Sequence, residues 1–152
     1  MSGQASQKPS LAYQRTLEGY IEYYENLRPR SVRLIEKLAD PSIQFIDPFN
    51  NVRGIDAVER IMTKMFEDLK NPRFKVHDYA WGQDGITAYL RWTCRFGTEA
   101  ENVIEGMSEI TFAQNGLVVS HVDYWDSGAQ FYAKLPFIGA LIRWVMRKVA
   151  AD

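Results

Sequence analysis

The chain has 152 residues, 46% hydrophobic and 24% charged, the composition of one ordinary globular domain large enough to enclose a pocket. Its 18 Lys and Arg nearly balance 19 Asp and Glu, leaving a formal charge of -1, so no global field draws it to nucleic acid. The single Cys94 excludes an intramolecular disulfide, and Met1 to Ser10 lack the apolar core of a signal peptide. The longest apolar run, Leu135 to Ile142, is far short of the roughly 18 residues of a membrane span, and the expectation is a cytoplasmic protein.

Residues 1–10 are polar and predict a loose, disordered tail, followed by one domain over 11–130 and a C-terminal amphipathic helix over 131–152. Tyr13, Leu17, Tyr20, Tyr24 and Leu27 recur at helical spacing until Pro29, which predicts helix one. Ser31 can cap a short second helix with Leu34, Ile35 and Leu38 inward, stopped by Asp40-Pro41. An apolar strand, Ile43 to Ile46, then delivers Asp47 on the side of Ile43 and Phe45, because strand side chains alternate. A carboxylate so placed is a candidate general base, although an Asp-Pro pair after a strand also commonly starts a turn. Asp56 and Glu59 have capping-box spacing, and Val58, Ile61, Met62, Met65, Phe66 and Leu69 form the stripe of helix three.

After Pro72 the period changes to two, predicting strands near Phe74 to Trp81, Thr87 to Phe96, Val103 to Phe112 and Val118 to Trp125. Helices grouped before an antiparallel sheet define an α+β fold. Asn115-Gly116 predicts a two-residue hairpin turn that sets Ile110 opposite His121 and Ser108 opposite Asp123. Pairing Arg95 with Glu105 and Arg91 with Glu109 sets the preceding hairpin. Both registers place Leu90, Trp92, Cys94, Phe96, Ile104, Ser108, Ile110, Phe112, Val119, His121, Asp123 and Trp125 on one inner face. Ser108, His121 and Asp123 are polar intruders there, and a cavity would account for them, whereas a lone inward histidine can also be a satisfied core residue. The outer face, with Tyr89, Arg91, Thr93, Arg95, Glu105, Met107, Glu109, Val122 and Tyr124, suits burial in a homodimer. Phe137, Ile138, Leu141, Ile142, Val145 and Val149 form a C-terminal stripe opposite Arg143, Arg147 and Lys148, expected to cover the domain or a dimer seam, with a membrane-surface helix as the alternative.

The strand ending in Asp47-Pro48, the loop with Gly54 and the helix from Asp56 to Leu69 resemble the signature of the cone-shaped nuclear transport factor 2 superfamily, and the C-terminal segment resembles that of its SnoaL-like proteins. The resemblance implies a curved sheet wrapped on N-terminal helices. It sets Asp47 at the place of the catalytic aspartate of the ketosteroid isomerases, which moves a proton between carbons while donors stabilise the enolate oxygen. Their tyrosine donor falls on Tyr23 by an ungapped count or on Tyr20 by local pattern, and their protonated aspartic acid falls on Ser108. His121 and Asp123 are further acid/base candidates, as scytalone dehydratase of the same superfamily uses histidine and aspartate. Ser108, Trp92, Trp125, Ile110 and Phe112 are the expected pocket walls. With only His77 and His121, no metal or other cofactor is expected, and there is no phosphate-cradling loop or nucleophile elbow. The resulting expectation is a protein that binds an apolar, carbonyl-bearing small molecule and transfers a proton as an isomerase, cyclase or dehydratase would. The alternative is a non-catalytic binding or dimerisation module of the same fold.

Overall fold

The computed structural model describes residues 5–100, 102–130 and 136–149, the side chains of 136–140, 142 and 146 excepted. Helix α1 (Leu11–Glu25) starts where the Ser10 side chain accepts from the Tyr13 N–H at 3.2 Å, and it buries Leu17, Tyr20 and Tyr23. Within the expected loose tail, residues 1–4 lie outside the described residues, and Gln7 is tied down by donating its N–H to the Gln83 carbonyl at 2.9 Å. Pro29 opens the next element, a 3-10 helix (Pro29–Lys37), because its missing N–H costs nothing at a helix start. Three residues per turn put Val32 and Ile35 inside and leave Leu34 exposed, contrary to the inward position expected for it.

Strand β1 (Ala39–Ile46) turns through Asp47 to Asn50 into β2 (Asn51–Arg53), a hairpin the sequence reading did not contain. Helix α2 (Ile55–Asp68) follows Gly54, whose φ of 94° is a conformation that favours glycine. Asp56 and Glu59 do not cap it. Both carboxylates instead reach Arg33 Nη1, at 2.5 and 2.8 Å, and tie the 3-10 helix to α2. Strands β3 (Arg73–Trp81), β4 (Thr87–Phe96), β5 (Asn102–Phe112) and β6 (Val118–Tyr124) complete one sheet, ordered β2-β1-β6-β5-β4-β3. The sheet is mixed rather than wholly antiparallel, since β1 runs parallel to β6 and sets Phe45 beside His121. Alternation reports which face a residue takes but not the direction of its neighbour.

The β4–β5 register is two residues from the charge-paired one: Arg91 faces Met107, Thr93 faces Glu105, and Trp92 faces Gly106. Cross-strand ion pairs on a wet face are worth less than about 1 kcal/mol, whereas Gly106 provides the space in which the buried Trp92 ring lies. A shift of two preserves parity, so the inner face stands. The β5–β6 register is as expected from Met107 to Thr111. The turn itself differs: Ala113 N–H bonds Leu117 O across three loop residues, only Gly116 has positive φ, and a bulge restores the register. Val118 is therefore buried where Val119 was expected.

After the short α3 (Ser127–Gln130), helix α4 (Pro136–Val149) leaves Leu141, Val145 and Val149 of the expected stripe, and Trp144, exposed among the described residues. Phe137, Ile138 and Ile142 have side chains outside the described residues, as do residues 131–135 altogether. No helix among the described residues is long and apolar enough to cross a membrane.

Candidate functional site

A cavity of about 50 Å³ lies between α1 and the inner sheet face, where Tyr20, Tyr24, Phe74, Trp92, Ser108, Ile110, His121 and Asp123 meet with Ile21 and Met62. It is polar along one line only. Trp92 Nε1 donates to Ser108 Oγ at 2.8 Å, and Ser108 Oγ donates to Asp123 Oδ1. His121 Nε2 meets the same Oδ1 at 2.7 Å, and its Nδ1 lies 2.8 Å from the Tyr20 hydroxyl. With a carboxylate oxygen as acceptor at Nε2, a neutral imidazole would leave Nδ1 to accept from the Tyr20 hydroxyl. The arrangement is a five-member chain from indole to phenol with a carboxylate at its centre.

The structure of the chain follows from its elements. Ser108 and Asp123 are directly paired across β5 and β6, and His121 precedes Asp123 by two residues on the same face. Phe45, opposite His121 on β1, holds the imidazole with a ring separation of 4.7 Å. Oδ1 takes both bonds, the second carboxylate oxygen has no hydrogen bond among the described residues, and the Asp123 side chain is 16% exposed. Burial pushes the Tyr20 and Tyr24 hydroxyls well above the ordinary phenol range, and the Asp123 charge adds to both. They remain protonated donors. The Tyr24 hydroxyl is buried with no hydrogen-bond partner among the described residues. The neighbouring Tyr20 hydroxyl nonetheless acts on it both by charge and as a hydrogen-bond partner, since the Tyr20 oxygen can accept from Tyr24 while its own proton goes to His121.

Of the residues named from sequence, the structure brings Tyr20, Trp92, Ser108, Ile110, His121 and Asp123 to this cavity and leaves four elsewhere. Asp47 does not line it. Its carboxylate accepts from the Phe49 N–H at 2.8 Å, the Asn50 N–H at 2.7 Å and the Asn50 side chain at 3.0 Å, closing the β1–β2 turn with Pro48 in second position. Tyr23 is buried but donates to the Val32 carbonyl at 2.7 Å. Phe112 packs against Tyr13 and Trp81, and Trp125 against Phe49. Tyr24 is the residue the sequence reading placed on helix one without a role, although its spacing of four from Tyr20 puts both on one helical face. Among the described residues no group of His, Cys, Asp and Glu is arranged to hold a metal ion. Cys94 is buried, its thiol pushed up to about 12 by desolvation, and has no part in the cavity.

The order of helices and strands, with a line of polar groups on the inner sheet face, defines a small α+β domain with a mainly apolar cavity. The SnoaL-like domain family model matches residues 20–121, and the chain belongs to that family. A protein from Jannaschia sp. provisionally described as a SnoaL-like polyketide cyclase superposes with a TM-score of 0.67 at 14% identity, over 81% of this chain and 93% of that one. A steroid delta-isomerase from Pseudomonas aeruginosa gives 0.65 at 19% identity, over 94% and 98%. A ketosteroid isomerase-like protein from Catenulispora acidiphila, in complex with trimethylamine, gives 0.64 at 10% identity, over 86% and 96%. These likenesses establish the fold. No curated protein matches the chain significantly.

Proposed function

We propose that the protein binds a small carbonyl compound in this cavity and transfers a proton on it, with Asp123 as the base. The observation that carries the reading is the division of labour within one carboxylate: Oδ1 is held by Ser108 and His121, and the other oxygen accepts no hydrogen bond among the described residues. His121, backed by Tyr20, fixes the carboxylate and delocalises the charge change when Asp123 takes a proton, a positioning role typical of coupled acid/base groups. Asp47, occupied by its turn, has no part in it. Asp123→Asn should leave the fold intact and lower the exchange of a bound ketone's α-protons with solvent deuterium by about 10²–10⁴-fold, the usual worth of a general base. Unchanged exchange would end the reading.

A second reading is favoured by the aromatic walls. Tyr24, Phe74 and Trp92 stand around the same carboxylate, a combination suited to a small organic cation, and a relative of the same fold holds trimethylamine. Calorimetry with trimethylammonium separates the two, because this reading needs binding without exchange.

The assembly we infer is a twofold dimer through the outer sheet face. Tyr89, Met107 and Tyr124 are exposed there, and Arg91 and Glu109 make no ion pair among the described residues. A twofold axis sets the β4 arginines of one copy against the β5 glutamates of the other, which is the charge complementarity an isologous interface needs.

A further inference from the structure

We propose that α4 is a membrane-surface element, and that the apolar side it exposes lies in the headgroup layer of an anionic lipid bilayer. Successive residues of a helix are about 100° apart, so Leu141, Val145 and Val149 fall within an arc of about 80°, with Trp144 about 60° beyond its edge. All four side chains are exposed, those of Leu141, Trp144 and Val149 by more than half. Arg143 and Arg147 fall on the opposite side of the helix and are exposed as well. An exposed apolar stripe backed by cations is the pattern of a helix that lies in the plane of a lipid interface.

Charge selects the occupant. Three of the chain's 18 Lys and Arg stand on α4 and none of its 19 Asp and Glu, although the two signs nearly balance over the chain as a whole. Arg147 and Lys148 in the last turn also complement the helix dipole, which accounts for cations at that end but not for the lack of any acid along 14 residues. Lys148 separates lipid from protein. It falls inside the apolar arc, between Trp144 and Leu141, and its Nζ stands 6.0 Å from the centre of the Trp144 ring. A twofold seam of α4 on α4 would bury that ammonium among like charges, since the helix carries no carboxylate to meet it. A bilayer interface accommodates it, because the lysine stem lies along the apolar side while the ammonium reaches up to lipid phosphates. Indoles favour the same depth, apolar on one side and wet on the other. The 14 residues of α4 rise about 21 Å, less than the hydrocarbon thickness of about 30 Å, so the helix lies along the surface and does not cross it.

The test uses the full chain with two kinds of vesicle, pure phosphatidylcholine and phosphatidylcholine carrying about a third phosphatidylserine. Co-sedimentation reads binding, brominated lipid reads the depth of tryptophan by quenching, and light scattering reads mass. Wild type should pellet with the anionic vesicles only, and leave them at about 1 M salt, where the screening length falls to about 3 Å. Arg147→Gln combined with Lys148→Gln should weaken binding about 25-fold, about 5-fold for each charge. Quenching should vanish in Trp144→Phe, because Trp81, Trp92 and Trp125 stand on or beside the sheet. Val145→Glu alters an exposed position and should abolish binding with circular dichroism, Tm and mass unchanged. Wild type that does not pellet with anionic vesicles, or pellets equally with pure phosphatidylcholine, overturns the proposal. Quenching that survives Trp144→Phe overturns it too, since another part of the chain is then in the lipid. A halved mass in Val145→Glu does the same, because the stripe is then a seam between copies.

Discussion

Substituting Gly106 by alanine tests the chain of contacts that orients the site. The new methyl would lie 2.5 Å from Trp92 Cζ2, 2.7 Å from Cη2 and 3.0 Å from Cε2, all well inside ordinary contact. The indole must therefore retreat by about 1 Å to reach normal carbon–carbon separation. That retreat lengthens the 2.8 Å bond from Trp92 Nε1 to Ser108 Oγ beyond hydrogen-bond range. Overpacking a core costs about 1–3 kcal/mol and the lost bond about 1 kcal/mol, so Gly106→Ala should destabilise by about 2–4 kcal/mol. In a chain of this length that lowers Tm by about 5–15 °C. Thermal unfolding gives the magnitude, and the indole N–H resonance of Trp92 reports the broken bond. Trp92→Phe lacks the offending ring carbons, so in the Gly106→Ala background it should recover part of the loss, a coupling measurable by a double-mutant cycle. A Gly106→Ala protein with wild-type Tm and an unmoved indole resonance would refute the packing argument.

Asp47→Ala should cost about 1–2 kcal/mol through the lost turn bonds, Asp47→Asn much less because its amide oxygen still accepts from the Phe49 and Asn50 N–H groups, and neither should slow α-proton exchange; denaturant titration and the exchange assay check the pair. Tyr20, Tyr23 and Tyr24 all have hydroxyls raised above the unfolded value near 10, chiefly by burial. Their contribution to stability is complete below about pH 10 and is lost above it, where the unfolded chain releases protons that the folded one keeps, at up to about 4 kcal/mol per pH unit for three groups. Tyrosinate absorbance should therefore show these three appearing only with the cooperative loss of circular dichroism, and early titration of all eight tyrosines would contradict their burial. Light scattering should give twice the 17.6 kDa chain mass at micromolar concentration, and Met107→Glu should halve it; a monomeric wild type would remove the outer face as the interface.

Much of the fold was legible because its evidence was periodic. The β4 strand was bounded correctly at Thr87 and Phe96, and the inner and outer faces were assigned correctly for most positions, even where the register was wrong. An error of two residues leaves parity intact, so Trp92, Ser108 and Ile110 stayed inside when the Arg–Glu pairing used to align them proved absent. Short-range chemistry was less legible. Asp47-Pro48 satisfies equally well the pattern of a strand-end base and that of a turn opener, and only the hydrogen bonds to Phe49 and Asn50 separate them. Direction was hidden too, since nothing in the spacing of Ile43 and Phe45 states that β1 lies parallel to β6.

The helical half of the site was the hardest to read, and the reason lies in α1 itself. Tyr20, Tyr23 and Tyr24 occupy neighbouring positions on one buried side, and their spacing gives each a claim to the cavity. What distinguishes them is the partner that each hydroxyl finds. Tyr23 reaches forward to Val32 in the 3-10 helix, Tyr20 reaches His121 on the last strand, and Tyr24 is coupled to Tyr20 beside it. Asp123 acts on both Tyr20 and Tyr24 by charge, so it is contact between the first helix and the last strand, which no local spacing encodes, that sorts the three phenols.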